Sequence, residues 1–304
     1  MALSLSTSWF RLNEYNPERL VNELIELEIN TIELQYRIPA NFWEKLKPLL
    51  IKEGIKISSI HNFFPVPEIL EKGSGDAFLL TSLDENEFKL ALKYSSRTLE
   101  IASETGASAV VFHTGNVPVS AEKKDLVFKF FDEEKKDKAK KILNNLMDER
   151  KKKSRLYLDR LLKALEHLIK VAEKENVKIG IENRYFPNEI PLPEELEEIL
   201  KKFQDAPLGY WHDFGHAHHL EILGLVPHRE WLEKFKSFLI GVHLHDAKGR
   251  DDHLAPGTGD IDFYELRKLL PQEEKIIKVV EVHPEVKKEE LLQSFEFLKR
   301  AGLN

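Results

Sequence analysis

Residues 208–248 read LGYWHDFGHAHHLEILGLVPHREWLEKFKSFLIGVHLHDAK. This stretch opens on an apolar run of strand length, Leu208–Trp211, crosses a helical segment at Arg229–Phe235 and closes on a second run, Leu239–His243. Both runs lead directly into His and Asp. A strand, a crossover helix and a second strand within about forty residues make a unit of parallel sheet. The same unit recurs along the chain. Further apolar runs stand at Leu3–Ser6, Thr31–Leu34, Lys56–Ile60, Ala109–Phe112, Lys178–Ile181 and Ile276–Val280. Most are rich in Ile and Val with little polar alternation, as parallel strands buried on both faces require.

Helical patterns separate the runs: Pro17–Leu27, Asn41–Glu53, Glu85–Thr105, Arg155–Glu175, Pro193–Phe203, a shorter Asp262–Leu270 and Lys287–Arg300. Asn16 followed by Pro17 reads as an N-cap with Pro at the first helical position. Eight strand–helix pairs predict an α/β fold of the (β/α)8 TIM-barrel kind, one domain over residues 1–304. An open doubly wound sheet is the runner-up, but it needs a Gly-rich phosphate loop after an early strand, and the sequence has none. Val119–Ser154 departs from the repeat. Its charge-rich FKFFDEEKKDKAKKILNNLMDERKKKS predicts a solvated helical insertion after the fourth strand. Val127, Phe128, Phe130 and Phe131 are more apolar than a solvated helix needs, so a lid over the site or a partner surface is the alternative.

The 304 residues carry a formal charge of −7, 42 % hydrophobic side chains and no cysteine. Disulfides and thiolate metal sites are excluded. The charge gives no general pull toward nucleic acid or an anionic membrane, and no basic stripe with interleaved aromatics suggests a nucleic-acid groove. No run approaches the ~20 apolar residues of a membrane span, and MALSLSTSWFRLNEY lacks the basic start of a signal peptide. A cytoplasmic protein is expected. Abundant Lys and Glu with two Met fit a thermophilic source.

Barrel active sites sit at the C-terminal ends of the strands. Those ends carry Glu33, His61, His113, Glu182, Asp213 with His216, His243 with His245, Asp251 with His253, and Glu281. One such residue alone is unremarkable, because a His at a strand end usually satisfies local structure. Six consecutive strand ends with His, Asp or Glu imply a shared centre for a divalent metal bound by imidazole and carboxylate. His167, His212, His218, His219, His228 and His283 lack such placement and read as structural or solvated. Asp246 and Lys248 stand at the rim, where they contact substrate or pair with one another.

The motifs HDFGHA (212–217), VHLHDAK (242–248) with PGTGDIDF (256–263), and VVEVHP (279–284) resemble the xylose isomerase-like TIM-barrel superfamily. That superfamily holds the sugar phosphate isomerases and epimerases together with endonuclease IV, the apurinic endonuclease family 2. The resemblance runs over nearly the whole chain outside the insertion. In its isomerase branch it implies one metal on Glu182, Asp213, His243 and Glu281, with Glu182 and Glu281 as the acid/base pair and His216 on the substrate. In its endonuclease IV branch it implies up to three ions, with His61, His113, His216, Asp251 and His253 as further ligands. Glu33, His245 and Lys248 are the expected substrate contacts.

Three functional readings follow, in order of preference. The first is an isomerase or epimerase that uses Zn, Mn, Mg or Co in metal-stabilised enediolate chemistry on a small polyhydroxylated substrate. The second is a metal-cluster phosphoester hydrolase, acting on nucleic acid or a small phosphodiester. The third is a barrel that binds a metabolite without turning it over. The same ligands serve the first two, so fold alone does not choose between them.

Overall fold

Strands β1 (Ser4–Ser6), β2 (Thr31–Leu34), β3 (Lys56–His61), β4 (Ala109–Phe112), β5 (Lys178–Glu182), β6 (Leu208–Asp213), β7 (Leu239–Leu244) and β10 (Ile277–Val280) pair in parallel. They close into an eight-stranded barrel of order β1-β10-β7-β6-β5-β4-β3-β2. The computed structural model describes residues 3–271 and 276–304. Met1, Ala2 and residues 272–275 lie outside the description, including the first two residues of the segment read for a signal peptide. Two further strands, β8 (Asp246–Lys248) and β9 (Asp251–Leu254), form a small antiparallel hairpin after β7.

The helices are α1 (Pro17–Glu26), α2 (Ala40–Glu53), α3 (Glu85–Thr105), α4 (Ala121–Asp132), α5 (Lys136–Glu175), α6 (Pro193–Lys202), α7 (Phe214–Ile222), α8 (His228–Phe235), α9 (Phe263–Arg267) and α10 (Lys288–Arg300). Local chemistry sets several of their ends. The Asn16 side chain accepts from the Arg19 N–H ahead of Pro17, and the Asp84 side chain caps α3, which stops at left-handed Gly106. Among the described residues, no helix is long and apolar enough to cross a membrane.

The barrel interior is filled by side chains. Trp211 is fully buried among Ala109, Val111, Ile277 and Val279. A register shift beside it pairs Trp211 with Gly241, where a Cβ would lie 2.2 Å from the indole ring. Glycine there gives the tryptophan its volume. The His243 ring lies 5.2 Å from that indole, so the plug forms the floor of the site.

The insertion departs from its solvated expectation on one face. Its second part is not a separate helix but the N-terminal half of α5, which runs 40 residues from Lys136. No Gly or Pro interrupts it, and the composition favours helix throughout. Buried Arg150 docks this helix, donating to Glu195 at 2.6 Å and to the Glu189 carbonyl at 2.8 Å. Val127 and Phe128 of α4 pack on Leu143, Leu223 and Phe186 beside the strand C-termini. Its Lys- and Glu-rich outer face is solvated, as charge runs usually are.

Candidate metal centre and active site

Each strand delivers its side chain to the barrel mouth because a parallel barrel aligns all C-terminal ends on one side. Glu182, Asp213, His243 and Glu281 converge there, each buried, with one ligand atom apiece lying within 4.8 Å of the others. His243 Nδ1 lies 2.6 Å from Glu182 Oε1, 3.0 Å from Glu281 Oε2 and 3.5 Å from Asp213 Oδ2. Its other nitrogen, Nε2, donates to Glu33 at 3.1 Å. That bond orients the ring so that Nδ1 faces the three carboxylates, where a bound cation would replace the Nδ1 proton, the arrangement metal-bound imidazoles usually show.

The electrostatics agree with this donor set. Burial opposes protonation of His243, yet Glu281 and Glu33 outweigh it and push its pKa well above the imidazole range. Burial also works against ionised Glu182, but hydrogen bonds from His113 and His243 hold it well below the usual carboxylate range. Three buried carboxylates need a cation, and the imidazole beside them would offer a lone pair once a metal ion displaced its Nδ1 proton. Oxygen and nitrogen donors in this number fit a divalent ion.

Three further groups share the mouth. His61, His113 and Glu182 bring ligand atoms together, as do His216, Asp252 and His253, and Asp213, His245 and His253. His61 Nδ1 donates to the Asn62 carbonyl at 3.0 Å, and burial, then the neighbouring His113, drives its pKa down to about 3. For His113, burial and Arg184 oppose protonation, but Asp76 and Glu182 hold its pKa up to about 9. His216 donates through Nδ1 to the Asn183 carbonyl, and its backbone N–H is capped by Asp213 at 2.7 Å.

Three expected positions are corrected by this geometry. Asp251 is exposed, and its hairpin partner is Lys248. Asp252 faces the site instead, 3.2 Å from His253 Nδ1 and 3.9 Å from His216 Nε2. Glu33 and His245 were expected on the substrate, but neither has any exposed surface. Glu33 lies behind His243, held by the Ser59 hydroxyl at 2.8 Å, and burial raises its pKa. The His253 N–H donates to His245 Nδ1 at 2.8 Å, so His245 Nε2 is the donor to Asp213 at 3.0 Å. It holds Asp213 from behind, away from exposed surface. Lys248 is exposed and makes no ion pair among the described residues.

Two residues were not anticipated. Arg184 lies two positions beyond Glu182 in ENR, and its buried guanidinium reaches Glu182 at 2.7 Å. Asp76, in the loop after β3, accepts from His113 at 3.1 Å. The short ENR run was a usable signal for Arg184, because an Arg at a buried strand end needs an acid. Nothing in the loop pattern pointed to Asp76. Of the six set-aside histidines, His283 stacks on His253 at the edge of the site, whereas His212 and His228 form a buried pair at 2.9 Å and His219 stacks on Tyr185 at 3.7 Å between centroids. The latter two arrangements fit structural roles.

Comparison with known proteins places the chain. An uncharacterized protein of Methanocaldococcus jannaschii is 29 % identical over 199 residues, which cover 63 % of this chain and 56 % of that protein. The chain thus matches just over half the length of that relative. Among solved structures, a D-tagatose 3-epimerase-like protein superposes with a TM-score of 0.71 at 22 % identity, over 99 % of this chain and 97 % of that one. A 3-keto-D-glucoside 4-epimerase from E. coli gives 0.67 at 14 % identity, over 99 % of both chains. The family model described as xylose isomerase-like TIM barrel matches residues 21–301. With a closed eight-stranded barrel and a match over most of its length, the chain belongs to the xylose isomerase-like TIM-barrel family.

Proposed function

We propose that the protein is a divalent-metal-dependent isomerase or epimerase of a small polyhydroxylated carbonyl compound, a sugar or sugar phosphate. The observation that carries this reading is the convergence of Glu182, Asp213, His243 and Glu281 with a second layer, Glu33 and His245, fixing two of the four. The epimerases among the similar structures support it at the level of fold.

Glu182, Asp213, His243 and Glu281 would hold a divalent cation, which would supply positive charge for the carbonyl and neighbouring hydroxyl oxygens of the substrate. The proton chemistry belongs to the chain. Glu182 and Glu281 reach the centre from strands three places apart around the barrel, so they approach a bound substrate from different sides. One carboxylate takes the proton from the carbon next to the carbonyl, leaving an enediolate. The other returns a proton, to the opposite face of the same carbon in an epimerisation or to the neighbouring carbon in an isomerisation. His216 stands at the edge of the centre, where its Nε2 meets a substrate hydroxyl, and its Nδ1–H anchored on Asn183 fixes that orientation.

A metal-cluster hydrolase is the second reading, favoured by the additional groups His61/His113/Glu182 and His216/Asp252/His253. Protein purified without chelator separates the two. About one divalent ion per chain by elemental analysis, with turnover on an aldose–ketose panel and none on a generic phosphodiester, is the expected result. Two or three ions with phosphodiester cleavage would overturn the first reading.

A further inference from the structure

The two oxygens of Glu182 face different partners. Oε1 lies 2.6 Å from His243 Nδ1, toward the four-residue centre. Oε2 accepts from Arg184 Nη1 at 2.7 Å and stands 3.1 Å from His113 Nε2. The Arg184 side chain is 6 % exposed, and the rest of its guanidinium is also engaged. Nε and Nη2 donate to Glu189 Oε1 at 3.2 and 3.0 Å, and Nη2 reaches Asp76 Oδ2 at 3.4 Å. Three acids, two from the 182–189 stretch and Asp76 from the loop after β3, therefore hold one guanidinium beside the His61–His113–Glu182 group.

A second metal ion on that group would need Glu182 Oε2, the oxygen Arg184 occupies. It would also sit next to a like charge that does not deprotonate in proteins. Arg184 has no easy exit, because withdrawing it leaves Glu189 without its cation and Asp76 with His113 alone. Arginine suits this post better than lysine, since its planar fork serves several carboxylate oxygens at once.

We propose that Arg184 is the resident cation of the His61–His113–Glu182 corner. It holds Glu182 Oε2, excludes a metal ion from that corner and leaves Oε1 free for the four-residue centre. Arg184 is thus a positioning residue for Glu182. The inference deepens the one-metal reading above and rests on it for its functional meaning.

The test counts metal rather than turnover. The full-length chain is stripped, titrated with Co2+, desalted and analysed for cobalt per chain, with the visible Co2+ absorption recorded. Arg184→Met is expected to take up one equivalent more than the parent, and Arg184→Lys, which keeps the charge, to match the parent. Adding His61→Ala to Arg184→Met should remove the extra equivalent. His61→Ala alone should bind as much cobalt as the parent. Loss of an equivalent in His61→Ala alone would overturn the proposal, as would a folded Arg184→Met with an unchanged count. If Arg184→Met does not fold, His61→Ala decides alone. Inactivity on every sugar would sink the proposed function and leave this count standing. A His61-dependent ion in the parent would sink the inference and leave the chemistry of the four-residue centre open.

Discussion

Glu281 follows the last barrel strand, 4 % exposed, with Oε2 3.0 Å from His243 Nδ1. Glu281→Gln is nearly isosteric and should leave the far-UV circular dichroism unchanged. It removes a base, and turnover should fall by about 10²- to 10⁴-fold. Activity within about tenfold of the parent would show that Glu281 only packs. Glu33 makes the complementary case. It has no exposed surface and contacts His243 from behind, so a change there should act through the metal. Glu33→Gln is expected to weaken divalent-ion affinity by about 10- to 100-fold in a competitive chelator titration. If metal affinity is unchanged and only the substrate KM rises, Glu33 meets substrate after all.

At the scale of elements, an ion pair helps tie the insertion to the barrel mouth. Arg250, just past β8, makes two bonds to Asp132 at the end of α4, at 2.8 and 2.6 Å, and covers Phe128. The Tyr185 hydroxyl donates to the Arg250 carbonyl at 2.7 Å, linking the loop after β5 to the same latch. The ion pair is partly solvated, so its net stabilisation is about 1 kcal/mol or less. Asp132→Ala should therefore leave the global melting temperature within about 2 °C of the parent, while amide exchange in residues 121–132 speeds up. Unchanged exchange there would mean that Val127 and Phe128 hold α4 without help.

For the molecule as a whole, buried neutral histidines make stability depend on pH. Burial drives His212 down to about 3 and His219 to about 4. For His228, burial and then the nearby His212 act in the same direction. An unfolded chain takes up these protons near pH 6.5, and the folded one refuses them. The stabilisation is complete above about pH 6.5 and is lost as pH falls from there toward 3, by about 1.4 kcal/mol per unit for each such histidine. Melting temperatures of the metal-loaded protein should fall between pH 7 and 5. A flat profile would show that the buried pair at His212 and His228 opens and hydrates without cost.

The sequence by itself determined the barrel and the residue types at its mouth. Parallel strands buried on both faces leave apolar runs that need no partner to be read, and caps such as Asn16–Pro17 are local. The strand ends therefore marked Glu182, Asp213, His243 and Glu281 among eleven candidates, and the family resemblance singled out these four. Tertiary structure alone decided which face of the site each acid serves. A register shift between β2 and β3 pairs Glu33 with Ser59, and the closed barrel brings Glu33 behind His243, 210 residues away. The pairing of Lys248 with Asp251 in the hairpin leaves Asp252 to face His216, because neighbouring residues on a strand point to opposite sides. Arg184 meets Asp76 across 108 residues, and no local pattern records such a meeting. Local sequence carries propensity and burial; who stands beside whom at the mouth follows from strand register and barrel closure.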